Sequence, residues 1–510
     1  MGVPEARGRG LQPALVTRPL WLLAAAAVAL LSLAQLVQVS MFFDGGIYAT
    51  VARNLAIGRG EPWRLHFSDT LFPLFSEHAP LMMWLQALGF AVFGDHIAVE
   101  KGFSLAMFVI ALVLLHRIWS TLHADDPTMR AAFPFAVVLL LVSGRVGWGF
   151  ANGMLENPLT VFTLAAVLAI LVARGDAARD RPALRWALMA AAGVAVVLAV
   201  LTKGPVGLFP LATPALHWVV FRRSALRTVV VDTLVMAAVI GLAFGALWSV
   251  EAAREAINRY LDAQLRSSLS GQRGRYGGGL LVVPKLLGIN GTAIVVVSLL
   301  WVAGRRRVPG AAEAALRPAR RRRAAFLLLV ALSASLPIGL SPRVSNFYFN
   351  PSVCFYASGL AVLGAPALMA VLAGLGARGR ALLTAGASLA LLAAVVVVVR
   401  NVGTPGVDAR TIAQAAAIAA RACPGPDAPD APDAPDAPRC RTTIAACGPI
   451  WEDWALHTYL QRVHRLSLAR AAEVEATLVV TDAGCAVAPG YRDTGVDVAP
   501  YRLLERAPGG

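Results

Sequence analysis

The stretch PLWLLAAAAVALLSLAQLVQVSMFFDGGIYATVARNL, residues 19–55, decides the fold. Its opening run, Pro19 to Phe43, has about the ~20 apolar residues that a helix needs to cross the hydrocarbon core. The run ends on Asp44, and a short amphipathic segment with Arg53 follows, as where a chain leaves a membrane at its surface. The plainest reading of Asp44 is a cap on the helix that Gly45 opens, since Asp is a preferred N-cap. A cap accounts for the residue type. It does not account for the loop beyond, where Glu61, Asp69, Glu77, His78, several Arg and many aromatics gather before the next apolar run.

The remainder of the 510-residue chain repeats the pattern: 57% of it is hydrophobic and 15% charged, with a mean hydropathy of +0.64. Such values describe a polytopic α-helical membrane protein. Span-length runs fall near 19–42, 97–116, 131–149, 153–173, 186–202, 204–221, 228–250, 280–303, 324–340, 350–373 and 381–399. The expectation is about eleven to thirteen membrane helices by the length criterion. A further apolar piece, Leu81 to Phe93, is too short to span upright and is expected along the interface. Arg7, Arg9 and Arg18 precede the first run, but no small-residue cleavage site follows it, so it reads as a retained helix.

The net charge of +16 raises the question of nucleic acid. The Arg residues lie instead in short blocks between apolar runs, where they orient helices. With the amino terminus inside, the inner loops hold Arg117 and Arg130; Arg174, Arg179, Arg181 and Arg185; Arg222, Arg223 and Arg227; Arg305 to Arg307 with Arg317 and Arg320 to Arg323; and Arg378 with Arg380. Every inner loop is then basic, and no nucleic-acid partner is expected. The same arrangement puts Asp44, Glu77, His78, Glu156, Lys203, the loop Glu251 to Tyr276, and Arg343 to Asn350 on the outer face. Residues 1–400 form the membrane domain, with a first outer loop at 43–96. Residues 401–510 form a small α/β domain outside the cytoplasm, in a multi-pass protein of the cell (inner) membrane.

That last segment holds four of the five Cys. Cys423 and Cys440 flank a Pro-Asp-Ala repeat from Pro426 to Pro438 that can neither continue a helix nor join a sheet. In an oxidising compartment a bridge between them is expected, with Cys447 and Cys485 as a second pair. Thr411 to Arg421 and Trp451 to Val463 read as helices; Thr442 to Ala446, Ala476 to Thr481 and Tyr501 to Glu505 read as strands. No metal-ligand spacing and no cofactor motif is present, so neither is expected.

Four pieces together resemble the GT-C class of integral-membrane glycosyltransferases, in particular the branch of protein O-mannosyltransferases and lipid A aminoarabinose transferases. They are Phe42-Phe43-Asp44-Gly45-Gly46-Ile47-Tyr48, similar to the family's acidic first-loop motif; Glu77-His78-Ala79-Pro80 with Trp84; Met154-Leu155-Glu156-Asn157-Pro158; and Thr202-Lys203-Gly204-Pro205. Ser341-Pro342-Arg343 with Tyr348 and Pro351 looks like the family's later basic-aromatic loop. The chain departs from the family where it has Gly45 in place of a second acid, and Ala79-Pro80 in place of Pro-Pro.

The resemblance implies a polyprenyl-phosphate-linked sugar as donor, a lipid, glycan or protein acceptor, and single displacement with inversion. It makes Asp44 the candidate base with Glu156 beside it. Lys203, Arg343 and His78 are candidates for the phosphate, and Tyr48, Glu77 and Tyr348 for the substrate pocket. General-base work needs a carboxylate near the incoming hydroxyl, and a departing phosphate needs a cation. Capping for the acids, snorkelling for Lys203 and interfacial anchoring for Tyr48 and Trp84 are the structural alternatives. A transporter or lipid flippase is the competing class, but it puts charges near the midplane and shows paired repeats. Here the runs are nearly free of charge.

Overall fold

The structure is a computed structural model that describes residues 13–143, 145–266, 278–304, 311–341, 343–423, 444–485, 487 and 489–507. Among them nine helical stretches are long and apolar enough to cross a membrane. The sequence runs at 186–202 and 204–221 lie within one such stretch, Pro182–Phe221, and the run at 131–149 contains only the shorter Phe133–Val142. These two cases account for the difference from the count by apolar runs. Gly204, with φ +73°, divides the long stretch by taking a left-handed backbone that only glycine adopts freely.

The first helix, α1 (Pro13–Val28), runs through a π-helical turn to Leu36. Next come α2 (Phe43–Ala56), α3 (Leu81–Phe93), α4 (Ile97–Leu122), α5 (Phe133–Val142), α6 (Val146–Ala151) and α7 (Glu156–Ala173). After these follow α8 (Pro182–Lys203), α9 (Thr213–Phe221), α10 (Leu226–Ser249), α11 (Glu251–Tyr260), α12 (Val282–Gly304), α13 (Ala311–Ser335), α14 (Asn350–Ala373) and α15 (Ala377–Asn401). Helices α7, α8 and α10 pack side by side, as do α12, α13 and α14. The closing span α15 lies along α1. Beyond these spans Val39 N–H donates to Thr404 O (2.8 Å) and Gly403 N–H to Val37 O (3.0 Å), so the ends of α1 and α15 are tied where both leave the bundle.

Several of the basic blocks make specific ion pairs. Arg174 (2.8 Å) and Arg185 (3.2 Å) converge on the buried Asp232 of α10. Arg320 of α13 meets Asp126 at 2.7 Å, and Arg323 pairs with Asp125. Arg residues in these loops therefore join spans to one another as well as carrying charge. Arg305 to Arg307 lie outside the described residues.

The carboxyl-terminal segment contains α16 (Ala409–Ala422) and α17 (Trp454–His464) on a five-stranded sheet of order β2-β1-β3-β5-β4. Its strands are β1 (Ile444–Ala446), β2 (Leu468–Arg470), β3 (Leu478–Thr481), β4 (Tyr491–Asp493) and β5 (Arg502–Arg506). Strand β1 pairs in parallel with β2 and β3, whereas β5 runs antiparallel to β3 and β4. The two strands that the sequence did not announce, β2 and β4, have three residues each, too few to display an alternating pattern. Cys447 and Cys485 form a disulfide. Cys423 is disulfide-bonded as well, while Cys440, its expected partner, and the Pro-Asp-Ala repeat lie outside the described residues.

The sheet does not have a core to itself. Ile444, Leu468, Leu478 and Leu503 of the strands and Leu456 and Leu460 of α17 belong to one apolar cluster with Tyr48 and Val51 of α2, Phe67 of the first loop and Met82 of α3. Continuity of buried apolar surface is the main force joining two parts of a chain. Ion pairs edge the seam. Asp95 accepts from Arg53 (3.0 Å), Arg462 (2.6 Å) and Arg465 (3.0 Å). Arg462 also forks onto Glu100 at 3.1 and 2.8 Å.

Candidate active site

Helix α2 follows the first span after residues 37–42 and carries Asp44 in its first turn. Its N-cap position is Phe42 and no side chain caps it, so the capping reading of Asp44 is corrected: the helix starts at Phe43, ahead of Gly45. The same holds for Glu156, which opens α7 behind an N-cap at Leu155 with no side-chain cap bond. Both carboxylates are thus left for other partners.

Glu156 is buried and pairs with Lys203, the last residue of α8. Its second oxygen, Oε2, has no hydrogen-bond partner among the described residues. The Lys203 ammonium also lies over the rings of Tyr348 (4.3 Å) and Phe347 (5.8 Å), a cation–π arrangement that holds it at the foot of α14. Lys203 therefore does not snorkel to the lipid surface. It is fixed by an acid on one side and aromatic faces on the other.

Asp44 shares this neighbourhood. Burial pushes its carboxyl up, Lys203 pulls it down, Glu156 pushes it up again, and the result is about 6. Tyr48, one turn on along α2, is 3% exposed rather than an interfacial anchor. Its phenol is raised well above the ordinary value, first by burial and then by Asp44, Glu156, Tyr348 and Glu77. It stays protonated and offers a hydrogen-bond donor. His78 stands edge-on to the Tyr48 ring at 5.4 Å. Of the residues singled out from the sequence, Asp44, Tyr48, Glu77, His78, Glu156, Lys203 and Tyr348 meet in one place. Arg343 is different: it is exposed, and among the described residues it forms no ion pair. Trp84 turns into the loop, its indole donating to Pro62 O (2.6 Å) and packing against Trp63.

The position where the sequence lacks a second acid has a steric cause. A Cβ at Gly45 would stand 1.9 Å from the backbone oxygen of Asn152, and Asn152 Oδ1 accepts from Phe42 N–H at 2.7 Å. No side chain fits there, and Glu156 brings the second carboxylate from another helix.

Beside Lys203 the structure adds residues that the sequence did not single out. The Tyr260 hydroxyl, at the end of α11, donates to Lys203 O at 3.5 Å and closes over Gly204, where a Cβ would meet it at 2.1 Å. Trp63, Phe75, His78, Leu201, Gly204 and Tyr260 help to line an apolar cavity of about 130 Å³. The sequence had placed Tyr260 on the outer face only as part of the loop Glu251 to Tyr276, without giving it a partner. Among the described residues no cluster of three or more His, Cys, Asp or Glu is arranged to hold a metal ion.

The chain superposes on the crystal structure of ArnT from Cupriavidus metallidurans bound to undecaprenyl phosphate with a TM-score of 0.61, at 16% identity over 95% of this chain and 97% of that one. The chain has the GT-C fold. For the apo state of the same ArnT the TM-score is 0.56, at 15% identity over 90% and 92% of the two chains. The apo oligosaccharyltransferase of Archaeoglobus fulgidus gives 0.49, at 15% identity, with 91% of this chain and 69% of that one covered. Residues 77–248 match the family model for dolichyl-phosphate-mannose-protein mannosyltransferase, a stretch that takes in Glu77, His78, Glu156 and Lys203. No curated protein matches the sequence.

Proposed function

We propose that this GT-C protein moves a sugar from a polyprenyl-phosphate-linked donor to an acceptor hydroxyl or phosphate at the outer face of the membrane. The observation that carries the reading is the grouping of Asp44 with the Glu156–Lys203 pair at the ends of α2, α7 and α8. In this reaction the bond between the anomeric carbon and the lipid phosphate oxygen breaks, its electron pair leaving with the phosphate. An acceptor hydroxyl forms the new bond to the opposite face of that carbon and gives its proton to Asp44, whereas an ionised acceptor phosphate attacks through an anionic oxygen with no proton to give; in both cases the anomeric configuration inverts. A carboxylate near pH 6 is ionised at neutral pH while still able to take a proton, which is what a general base needs.

Lys203 is the cation for the leaving phosphate. When that phosphate enters, it shares the ammonium with Glu156 and approaches across Tyr348. The apolar cavity bounded by Gly204 and Tyr260 suits the first part of the prenyl chain, since it is lined by apolar side chains next to the cation. His78 and the Tyr48 hydroxyl face the sugar, and Glu77 adds acceptor capacity at that end. Exposed Arg343 is the approach charge for the phosphate rather than part of its seat. The donor sugar and the nature of the acceptor (lipid, glycan or protein) are read by mass spectrometry of surface glycans after deletion.

Transfer is tested with radiolabelled polyprenyl-phosphate sugar in proteoliposomes containing the wild type or Asp44→Asn. Activity that needs Asp44 supports the reading; equal transfer by folded Asp44→Asn moves the base to Glu77 or Glu156. A protein that translocates lipid without forming a glycosidic bond would point to the flippase class instead.

A further inference from the structure

The short segment that presents Asp44 is gripped from two sides. On one side Asn152, just before α7, accepts from Phe42 N–H and excludes any side chain at Gly45. The other side is α17, from the far end of the chain. The Tyr459 hydroxyl accepts from Met41 N–H at 3.1 Å and donates to Asp408 Oδ2 at 2.7 Å. Thr458 Oγ1 reaches Phe43 O at 3.4 Å, and a Cβ at Gly46 would stand 2.2 Å from Thr458 Cγ2. One turn further, the buried Arg53 donates to Gln461 O at 3.0 Å. Contacts therefore fall on residues 41, 43, 46 and 53, on both sides of Asp44 in sequence, and all come from one helix of the soluble segment.

We infer that Thr458 and Tyr459 are positioning residues that aim the Asp44 carboxylate, an inference that rests on the transfer reading above. A loose docking of the soluble segment would leave glycines free to become larger; here Gly46 is required by the approach of a threonine methyl. A base acts only within hydrogen-bond reach of the proton it takes, and small displacements of such a group are costly to the rate. The carboxyl-terminal segment is thereby part of the transfer machinery, acting through the backbone on either side of Asp44.

The contact between Gly46 and Thr458 permits a size exchange. Gly46→Ala adds the Cβ that collides with Cγ2, and Thr458→Ser removes that methyl while keeping the hydroxyl. Full-length protein in proteoliposomes is assayed as wild type, Tyr459→Phe, Gly46→Ala, Thr458→Ser and the double variant Gly46→Ala/Thr458→Ser. Tyr459→Phe, which loses one hydrogen-bonding hydroxyl, and Gly46→Ala should each lower kcat roughly ten-fold with the donor KM held within about two-fold. The double variant should recover to within about three-fold of Thr458→Ser alone. The inference is overturned if folded Tyr459→Phe and Gly46→Ala keep wild-type kcat, or if their activity falls only in proportion to the folded fraction. If the wild type itself transfers no sugar, the transfer reading fails first. The contact is then judged by hydrogen exchange at residues 41–46: faster exchange in Tyr459→Phe upholds the grip of α17 on this segment, and unchanged exchange overturns it.

Discussion

Glu156 and Lys203, at the first residue of α7 and the last of α8, form a buried ion pair whose second carboxylate oxygen has no hydrogen-bond partner among the described residues. Burying two charges is costly, and the pair is sustained only by mutual attraction and by what else touches it. Here the aromatic faces of Tyr348 and Phe347 share the cation. Removing one partner strands the other. Lys203→Ala should therefore lose about 3–5 kcal/mol of stability and most of its donor binding, read by thermal unfolding and by lipid-phosphate titration. Glu156→Gln leaves Lys203 without its counter-charge, and should bind polyprenyl phosphate several-fold more tightly while transferring sugar more slowly.

The protonation of Asp44 sets a pH limb. Its carboxyl sits near 6, above the ordinary carboxylate value, and the proposed reaction uses its ionised form. Turnover should rise through about pH 6 and level off above it. Asp44→Asn should lose roughly two to four orders of magnitude together with that limb, and Asp44→Glu should keep a limb. Stability moves the opposite way. A folded carboxyl pKa above the unfolded one means that Asp44 favours the fold most when protonated, and less as pH rises through 6. Asp44→Asn should thus melt higher than the wild type at pH 8, and the advantage should vanish at pH 4.

Gly45 is a steric requirement. Gly45→Ala places its methyl against Asn152 O, and overpacking of this kind costs about 1–3 kcal/mol. Gly45→Asp should behave no better and should not restore activity to Asp44→Asn. A stable, active Gly45→Asp protein, seen in thermal unfolding and transfer assays, would show that the segment yields.

The disulfide predictions concern compartment. Non-reducing peptide mapping of the exported protein should return Cys447 linked to Cys485, and Cys423 linked to Cys440 around the Pro-Asp-Ala repeat. Replacing both Cys447 and Cys485 by Ser should destabilise the sheet by about 2–4 kcal/mol and spare the spans. Free thiols at all four positions would place the segment in a reducing compartment. Topology is checked by an impermeant thiol reagent. Glu473→Cys should react from outside and Ala315→Cys should not.

Much of this arrangement was legible because membranes make strong demands. Apolar runs of span length fall between Arg blocks, and a charge at the end of such a run, as at Asp44, Glu156 and Lys203, needs a reason. What was not legible depends on contacts distant in sequence. Nothing near Gly45 announces Asn152, and nothing near Gly46 announces Thr458. The charge pattern placed the loop Glu251 to Tyr276 outside but did not show that Tyr260 closes over Gly204. The capping alternative for Asp44 falls away because the helix starts at Phe43, where an aromatic at the preceding position gives no capping signal. Arg343, chosen for its place in a basic-aromatic stretch, is exposed, because the turn ahead of α14 presents Tyr348 to Lys203 and leaves Arg343 at the surface.

Met41 meets Tyr459 across 418 residues of sequence. The ribosome delivers the Asp44 helix before most of the bundle and the helix that grips it after the bundle. During that interval one face of α2 is uncovered, and contacts so distant in sequence form slowly. A chain that stopped between Asn401 and Asp453 would contain the described spans and Asp44 but not α17, the far wall of its setting. The setting of Asp44 is therefore assembled late: until Thr458 and Tyr459 have been made and have docked, the segment from Met41 to Gly46 lacks the contacts that hold it on that side.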